Sequence, residues 1–134
     1  MPGGADLDQL LAALDPWLDP VALVYVRVPP GDEVPDVAAF ARVEEREGTT
    51  LVVAAGDAEH QGLEPVFRCR RLELRVASDL AAVGLTAAVA GALAEAGIAA
   101  NVVAAAVHDH VLVPDDRAEE ALEVLRALSA AAGA

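Results

Sequence analysis

The segment from Arg71 to Ala77 alternates between apolar and polar or small side chains, and this alternation limits the possible fold more than any other feature of the chain. Leu72, Leu74 and Val76 fall on one side of an extended backbone, so the pattern predicts a strand with one face on a hydrophobic core. A helical stripe, two strand-like runs and a second helical stripe follow in that order. The order β-α-β-β-α is that of a ferredoxin-like unit that lacks its last strand.

The ends of these two helices are also visible in the sequence. The first helix is expected to start near Asp79, and Gly97 followed by Ile98 has the form of a glycine C-cap with its hydrophobic contact. The second helix opens with Asp116 and Glu119 in the positions of a capping box. Both helices therefore have predicted boundaries.

The N-terminal half predicts a helix followed by three strands. The helix carries Asp6 and Gln9 in the positions of another capping box, and residues 21–28 form a β-branched apolar run that is typical of a central strand. Two further strands flank a tight turn from Arg46 to Gly48, where the glycine suits a positive φ. Because an unfinished apolar sheet edge is a liability, we expect this half, or a second copy of the chain, to supply the strand missing from the C-terminal unit.

The composition argues against several classes of partner. A net charge of −13 offers no basic surface to nucleic acid and equally disfavours an anionic membrane. The apolar run over residues 80–107 is interrupted at Glu95, short of the roughly 20 apolar residues that a bilayer crossing needs, so it predicts a buried helix and a strand. All 9 basic residues are Arg, which fits the codon usage of a GC-rich bacterial source.

The single cysteine and the N-terminal sequence bear on compartment and chemistry. Cys69 has no partner for an internal disulfide and no secretory signal is visible, so the expected compartment is the cytoplasm. We expect Cys69 to be buried and inert. The sequence contains no nucleophile elbow, phosphate-binding glycine loop, C-x-x-C or H-E-x-x-H motif, so neither an enzymatic activity nor a cofactor is predicted.

His108 and His110 are the strongest candidates for metal chemistry. On a regular strand their spacing would place both imidazoles on one face, where they could share a metal ion. A catalytic zinc normally needs three protein ligands, and the remaining histidine, His60, lies in a distant polar segment. A turn at His108-Asp109 would also break the alternation. A structural histidine pair at a hairpin is therefore favoured, and a metal-binding protein or metal-dependent enzyme is the alternative.

Three motifs in the C-terminal half resemble those of ACT domains, and most closely those of small stand-alone bacterial ACT proteins. They are a small-residue loop, the glycine-containing end of a helix, and a histidine-containing hairpin. Their residues are Ser78, Leu80, Ala82, Val83, Gly84 and Thr86; Ala96, Gly97, Ile98 and Asn101; and His108, Asp109, His110, Val113 and Pro114. The segment EREGTTLVVAA also resembles a strand of the same proteins, so the resemblance extends from about Val43 to Leu128.

This resemblance implies a regulatory protein that binds a small molecule, an amino acid, and has no catalytic activity of its own. The implied fold is α+β, a ferredoxin-like antiparallel sheet with helices on one face, arranged as two lobes over residues 1–66 and residues 67–134. ACT domains commonly pair, so a homodimer is expected. A module that only dimerises and binds no small molecule is a further alternative.

The ligand site that the resemblance implies combines the loop before the first C-terminal helix, the start of the next strand from a neighbouring lobe, and the histidines as a rim. Its residues are Ser78, Asp79, Leu80, Val83, Gly84, Leu85, Asn101, His108 and His110. The start of the helix offers N–H groups to a carboxylate, and the asparagine offers donors and acceptors to an amino-acid head group. The same residues also suit simpler structural roles as a helix cap, a close-packing glycine and a turn.

Overall fold

The structure is a computed structural model that describes residues 7–77 and 83–134. These residues form helices at α1 (Leu7–Ala12), α2 (Ala55–His60), α3 (Leu85–Glu95) and α4 (Ala118–Gly133), and strands at β1 (Pro16–Leu18), β2 (Leu23–Val28), β3 (Ala39–Glu45), β4 (Gly48–Ala54), β5 (Pro65–Leu74), β6 (Asn101–Ala104) and β7 (Asp109–Pro114). A 3₁₀ turn at Asp115–Arg117 precedes α4. None of the helices in the described ranges is long and apolar enough to cross a membrane.

The seven strands form one sheet in the order β3-β4-β2-β5-β7-β6, and β1 also pairs with β5. Every pairing is antiparallel. The ten-residue strand β5 joins the two halves of the chain, because its first part pairs with β2 and its second part pairs with β1. The strand missing from the C-terminal unit is thus supplied by the N-terminal half, the first of the two predicted sources.

The larger core lies between α1, α3, α4 and one face of the sheet. The predicted apolar face of β5 is confirmed, since Leu72, Leu74 and Val76 are all buried in this core. Leu14, directly after α1, is fully buried in the same cluster. The helices contribute the following further buried residues: Leu10, Leu11, Leu85, Val89, Leu93, Ala118, Ala121, Leu122 and Leu125.

A smaller core lies on the same face of the sheet beneath α2. It contains Val24, Val26 and Val28 of β2 together with Leu51 and Val53 of β4. Cross-strand pairing places Val24 opposite Arg68, which alternates with Leu72 on one side of β5, so both cores share one face. All the helices therefore cover a single face of the sheet, and the predicted α+β ferredoxin-like architecture is confirmed.

The opposite face carries no helix formed by residues 7–77 or 83–134, and the curl of the sheet buries a third cluster there. Leu23, Val52, Cys69 and Leu112 form its centre. The curl brings Phe40, on the edge strand β3, into edge-on contact with a ring on β7, although three strands lie between them in the sheet. The sequence has only four aromatic residues, and this face holds them all: Trp17, Tyr25, Phe40 and Phe67.

Two local predictions are confirmed and two boundary predictions are wrong. The β3–β4 hairpin turns before Gly48, whose φ is 135°, and α3 ends with Gly97 at φ 72° while Ile98 N–H donates to Leu93 C=O. However, α3 starts at Leu85 and not near Asp79. Its preceding residue is a left-handed glycine, a conformation that cannot continue an α-helix.

The predicted capping box of the C-terminal helix is also wrong. The 3₁₀ turn moves the start of α4 to Ala118, so Arg117 takes the cap position and no side-chain hydrogen bond caps the helix. Asp116 therefore lies one residue before the cap position and does not form the predicted capping box with Glu119. Asp6 of the other predicted capping box lies outside the described residues.

Candidate functional site

The loop before α3 holds the first group of predicted ligand-binding residues. Ser78, Asp79 and Leu80 lie outside the described residues. Val83 is 88% exposed, whereas Leu85 is 2% exposed and belongs to the core. The side chain of Val83 can therefore contact a ligand, whereas that of Leu85 packs in the core.

Gly84 has a structural explanation that does not need a ligand. Its φ of 99° lies in the left-handed region, which favours glycine. A Cβ built on this residue would lie 3.3 Å from the Leu7 side chain of α1. The glycine thus lets α1 approach the start of α3. Because no side chain caps α3, the N–H groups of its first turn are not bound by a capping residue.

Asn101 opens β6 and lies on the other face of the sheet. It pairs with Leu112, and its alternation with Val103 places its exposed side chain on the helix-free face. Leu85 is buried on the helix face. Within one chain the side chains of Leu85 and Asn101 therefore lie on opposite faces of the sheet.

The two histidines occupy different settings around one hairpin. His108 lies in the turn between β6 and β7, where its C=O accepts a hydrogen bond from Ala105 N–H. Its Nδ1 is buried and has no hydrogen-bond partner among the described residues. His110 lies on β7 and pairs with Glu73 on one side and Val103 on the other. The hairpin prediction thus describes the geometry better than two aligned rings on one strand.

A polar cluster around Arg71 is the main feature that sequence patterns did not reveal. The Arg71 side chain is only 15% exposed. Its guanidinium donates to Asp19 Oδ2 at 2.7 Å, to Glu73 Oε1 at 3.2 Å and to His110 Nδ1 at 2.9 Å. It also lies 5.5 Å from the ring centroid of Phe40. The partners come from four separate parts of the chain, so no local spacing could have predicted them.

The Arg71 cluster balances its charges internally. Burial works against ionisation of Asp19, but hydrogen bonds from Val21 N–H and Arg71 hold its pKa below the ordinary value. The pKa of Glu73 is also lowered, first by a hydrogen bond from Arg75 and then by Arg71. Arg75 in turn stacks 4.5 Å from the ring centroid of Trp17. The cluster is therefore a clamp of paired ions and aromatic rings that ties β5 to β7 and to the chain after β1.

The protonation state of His110 follows from its contact with Arg71. A guanidinium only donates hydrogen bonds, so Nδ1 must accept and the ring must be neutral with its proton on Nε2. Burial lowers the pKa of His110, and the positive charge of Arg71 lowers it further. The same charge would repel a metal cation at this ring.

The residues available for metal and nucleophilic chemistry do not form such sites. Among residues 7–77 and 83–134, no group of three or more His, Cys, Asp or Glu side chains is arranged to hold a metal ion. Burial raises the pKa of the Cys69 thiol to about 11, and the charge of Asp115 raises it further. The thiol is therefore neutral at physiological pH and a poor nucleophile.

Comparison with known proteins relates this architecture to a protein family. An ACT domain model matches residues 2–70 and a second ACT domain model matches residues 66–127. No curated protein matches the sequence.

Three solved structures are similar to the chain. A Vibrio cholerae protein of unknown function, described as a possible transport protein, is 38% identical with a TM-score of 0.82, over 95% of this chain and 98% of that one. An Agrobacterium tumefaciens protein is 19% identical with a TM-score of 0.63, over 81% and 84% of the two chains. The ligand-free regulatory subunit of aspartate kinase from Thermus thermophilus is 16% identical with a TM-score of 0.66, over 87% and 97%. The curled antiparallel sheet and its single helix layer are thus shared with an enzyme's regulatory subunit, and the chain belongs to the ACT domain family.

Proposed function

We propose that this protein is a regulatory module that binds an amino acid and has no catalytic activity of its own. It acts as a homodimer in the bacterial cytoplasm, and its output passes to a separate partner protein. The observation that carries the proposal is the pair of ACT domain matches, which together span residues 2–127. The fold shared with the regulatory subunit of aspartate kinase supports the same reading.

The side-chain chemistry of the described residues supports a binding role over a catalytic one. The most perturbed polar cluster, around Arg71, is closed by its own ion pairs and leaves no poised general acid or base. The Cys69 thiol is neutral and buried. These groups stabilise the sheet, which leaves recognition of a small molecule as the function that the family and the geometry both favour.

The proposed ligand site lies between two copies of the chain. One copy supplies Ser78, Asp79, Leu80, Val83 and Gly84 of the loop before α3. The other copy supplies Asn101, with His108 and His110 of the same hairpin as a rim. The positions of Leu85 on the helix face and Asn101 on the other face support this two-copy arrangement. We propose that each chain of this dimer consists of two lobes, residues 1–66 and residues 67–134.

Thermal unfolding of the purified protein with each of the twenty amino acids tests this proposal. At roughly one hundred times its Kd, a ligand adds about 2.7 kcal/mol to stability, so we expect one amino acid, or one chemical group of them, to raise the Tm by about 10 °C. Asn101→Ala should raise the amino-acid concentration needed for the same Tm shift about tenfold. The reason is that losing a hydrogen bond to the head group costs about 1.4 kcal/mol.

Val107→Ala is the matched control, because Val107 is exposed in the same hairpin and takes no part in the proposed site. Its response should equal that of the unmodified protein. A flat response to all twenty amino acids, or equal responses of the two variants, would count against the proposal.

A further inference from the structure

The helix layer is incomplete over the N-terminal strands, and a cavity lies where it ends. The helix α2 has 6 residues, whereas α4 over the C-terminal strands has 16. A cavity of about 400 Å³ lies between α2 and strands β2 and β5. This volume lies within the range of small-molecule sites in proteins. The short helix therefore leaves a ligand-sized space on the helix face of the sheet.

The floor of this cavity is apolar and rigidly packed. Val24 and Ala58 line it and are 3% and 2% exposed, as members of the smaller core. Ala55 and Leu63 line its sides and pack against the same core. Leu63 N–H donates to Ala58 C=O at 2.8 Å, which fixes the chain where it leaves α2. A short aliphatic group would fit against this surface.

The rim of the cavity carries charges of both signs. Glu59 at the end of α2, Glu64 before β5 and Arg68 of β5 all line the cavity. No hydrogen bond or ion pair joins either carboxylate to a residue within the described ranges. Arg68 uses Nε to donate to Asp115 Oδ2 at 2.7 Å, which leaves both Nη groups without a partner among those residues. Two carboxylates that accept hydrogen bonds, and a guanidinium with two Nη groups that donate them, thus border one apolar pocket.

We propose that this cavity is a second binding site, which takes an amino acid with a short aliphatic side chain. The ammonium group lies at Glu59 and Glu64, the carboxylate receives hydrogen bonds from the Nη groups of Arg68, and the side chain contacts Ala55 and Leu63. The proposal takes its ligand class from the proposed function but places the ligand at a different part of the chain. Both head-group contacts are charge-assisted, which makes them the strongest kind of hydrogen bond available here.

The balance of charge favours a zwitterion over a simple anion. The rim carries two carboxylates and one guanidinium, and Asp115 already neutralises that guanidinium in part. A carboxylic acid without an ammonium group would meet net negative charge in a chain of net charge −13. A zwitterion can place its ammonium group near the two carboxylates and its own carboxylate near the guanidinium.

Amide shifts of the ¹⁵N-labelled protein, recorded with each of the twenty amino acids, test this site. We expect the amides of Ala58, Gly62 and Leu63 to shift and saturate with at least one aliphatic amino acid. The matching amino-acid amide, which lacks the carboxylate, and the matching carboxylic acid, which lacks the ammonium group, should each bind at least tenfold more weakly.

Variants of the rim provide the second half of the test. Glu64→Gln and Arg68→Gln should each weaken the saturable shift at least tenfold. The matched controls are Glu123→Gln and Arg126→Gln on α4, which should not change it. The Arg68 and Arg126 side chains are 58% and 59% exposed, and each has one carboxylate partner, so both replacements should leave the fold intact.

The location of the shifts separates this inference from the proposed function. Shifts confined to Val83, Gly84 and Asn101 would overturn the second site and leave the proposed function standing. Shifts confined to the cavity, lost in the rim variants, would support the second site and count against the proposed dimer site. An unchanged spectrum with all twenty amino acids, or equal binding by rim variants and controls, would overturn the inference.

Discussion

At the scale of single residues, Arg71 shows how a chain with few aromatic residues and many acids stabilises one face of its sheet. Its guanidinium bridges Asp19, Glu73 and His110, and it packs near Phe40. A largely buried guanidinium is tolerated because its charged neighbours are acids that pair with it. His110, one of the two histidines that the sequence offered as candidates for metal binding, is an acceptor in this clamp.

The contact between Arg71 and His110 predicts a pH dependence of stability. The folded state holds His110 neutral, with its pKa below the ordinary value of 6.5, mainly through burial and the charge of Arg71. Glu73 and Asp109 oppose this shift, while His108 adds to it. The unfolded chain therefore binds more protons, so this contribution is present above the unfolded pKa and is lost as the pH falls through the folded pKa.

Replacement of His110 by Asn removes the titrating group but keeps an oxygen that can accept from Arg71. The free energy of unfolding in urea should fall more steeply for the unmodified protein than for His110→Asn between about pH 7.5 and about pH 5.5. His60→Asn, at the exposed end of α2, is the control for a histidine outside the clamp. Parallel pH profiles for the unmodified protein and His110→Asn would contradict this assignment.

At the scale of elements, the β3–β4 hairpin depends on Gly48. Its φ is 135°, and a Cβ built on it would lie within 2.3 Å of the Val28 carbonyl oxygen at the end of β2. That oxygen belongs to the backbone and cannot move without disturbing the pairing of β2 with β4. The glycine thus fixes both the turn and the close approach of the neighbouring strand.

Gly48→Ala should therefore destabilise the protein by about 3 kcal/mol or more, from the unfavourable φ together with the steric clash. Gly31→Ala is the matched control, because Gly31 also has a positive φ, 87°, but has open space around its Cβ position. It should cost only about 1 kcal/mol. Urea unfolding of both variants measures the difference, and equal losses would show that the clash is relieved.

The elements also show which features local sequence determines. The alternation at Leu72 and Leu74 and the glycine end of α3 at Gly97 were predictable because each depends on neighbours a few residues away. The start of α3 was not predicted, because it follows the left-handed Gly84, which packs close to Leu7, a residue far away in the sequence. The cap of α4 was missed because Asp115–Arg117 form a 3₁₀ turn before the α-helix begins.

The candidate sites divide in the same way. The residues of the loop before α3 and Asn101 were identified from motifs, and they stay predictions. The clamp around Arg71 was missed because strand pairing with β5 brings Asp19 and His110 to it, and the curl of the sheet brings Phe40. The rim of the cavity beside α2 was missed because Glu59 and Arg68 belong to different elements.

At the scale of the whole molecule, one sheet carries two regions that match the ACT domain family. The strand β5 pairs with strands from both halves, so the two regions share a continuous hydrogen-bonded ladder. A ligand bound on either region would therefore act on a common structural element. The strand β5 is therefore the structural connection between the two regions.

The two faces of the sheet carry different parts of the proposed ligand site. Leu85, at the start of α3, is buried on the helix face of the sheet and Asn101 lies on the other face, so the site that we propose combines the loop with Asn101 of a second copy. Calorimetric titration of the unmodified protein with each of the twenty amino acids measures this most directly. We expect a saturable heat of binding for at least one amino acid, with the affinity about tenfold weaker in Asn101→Ala and unchanged in Val107→Ala. No saturable heat from any of the twenty would contradict it.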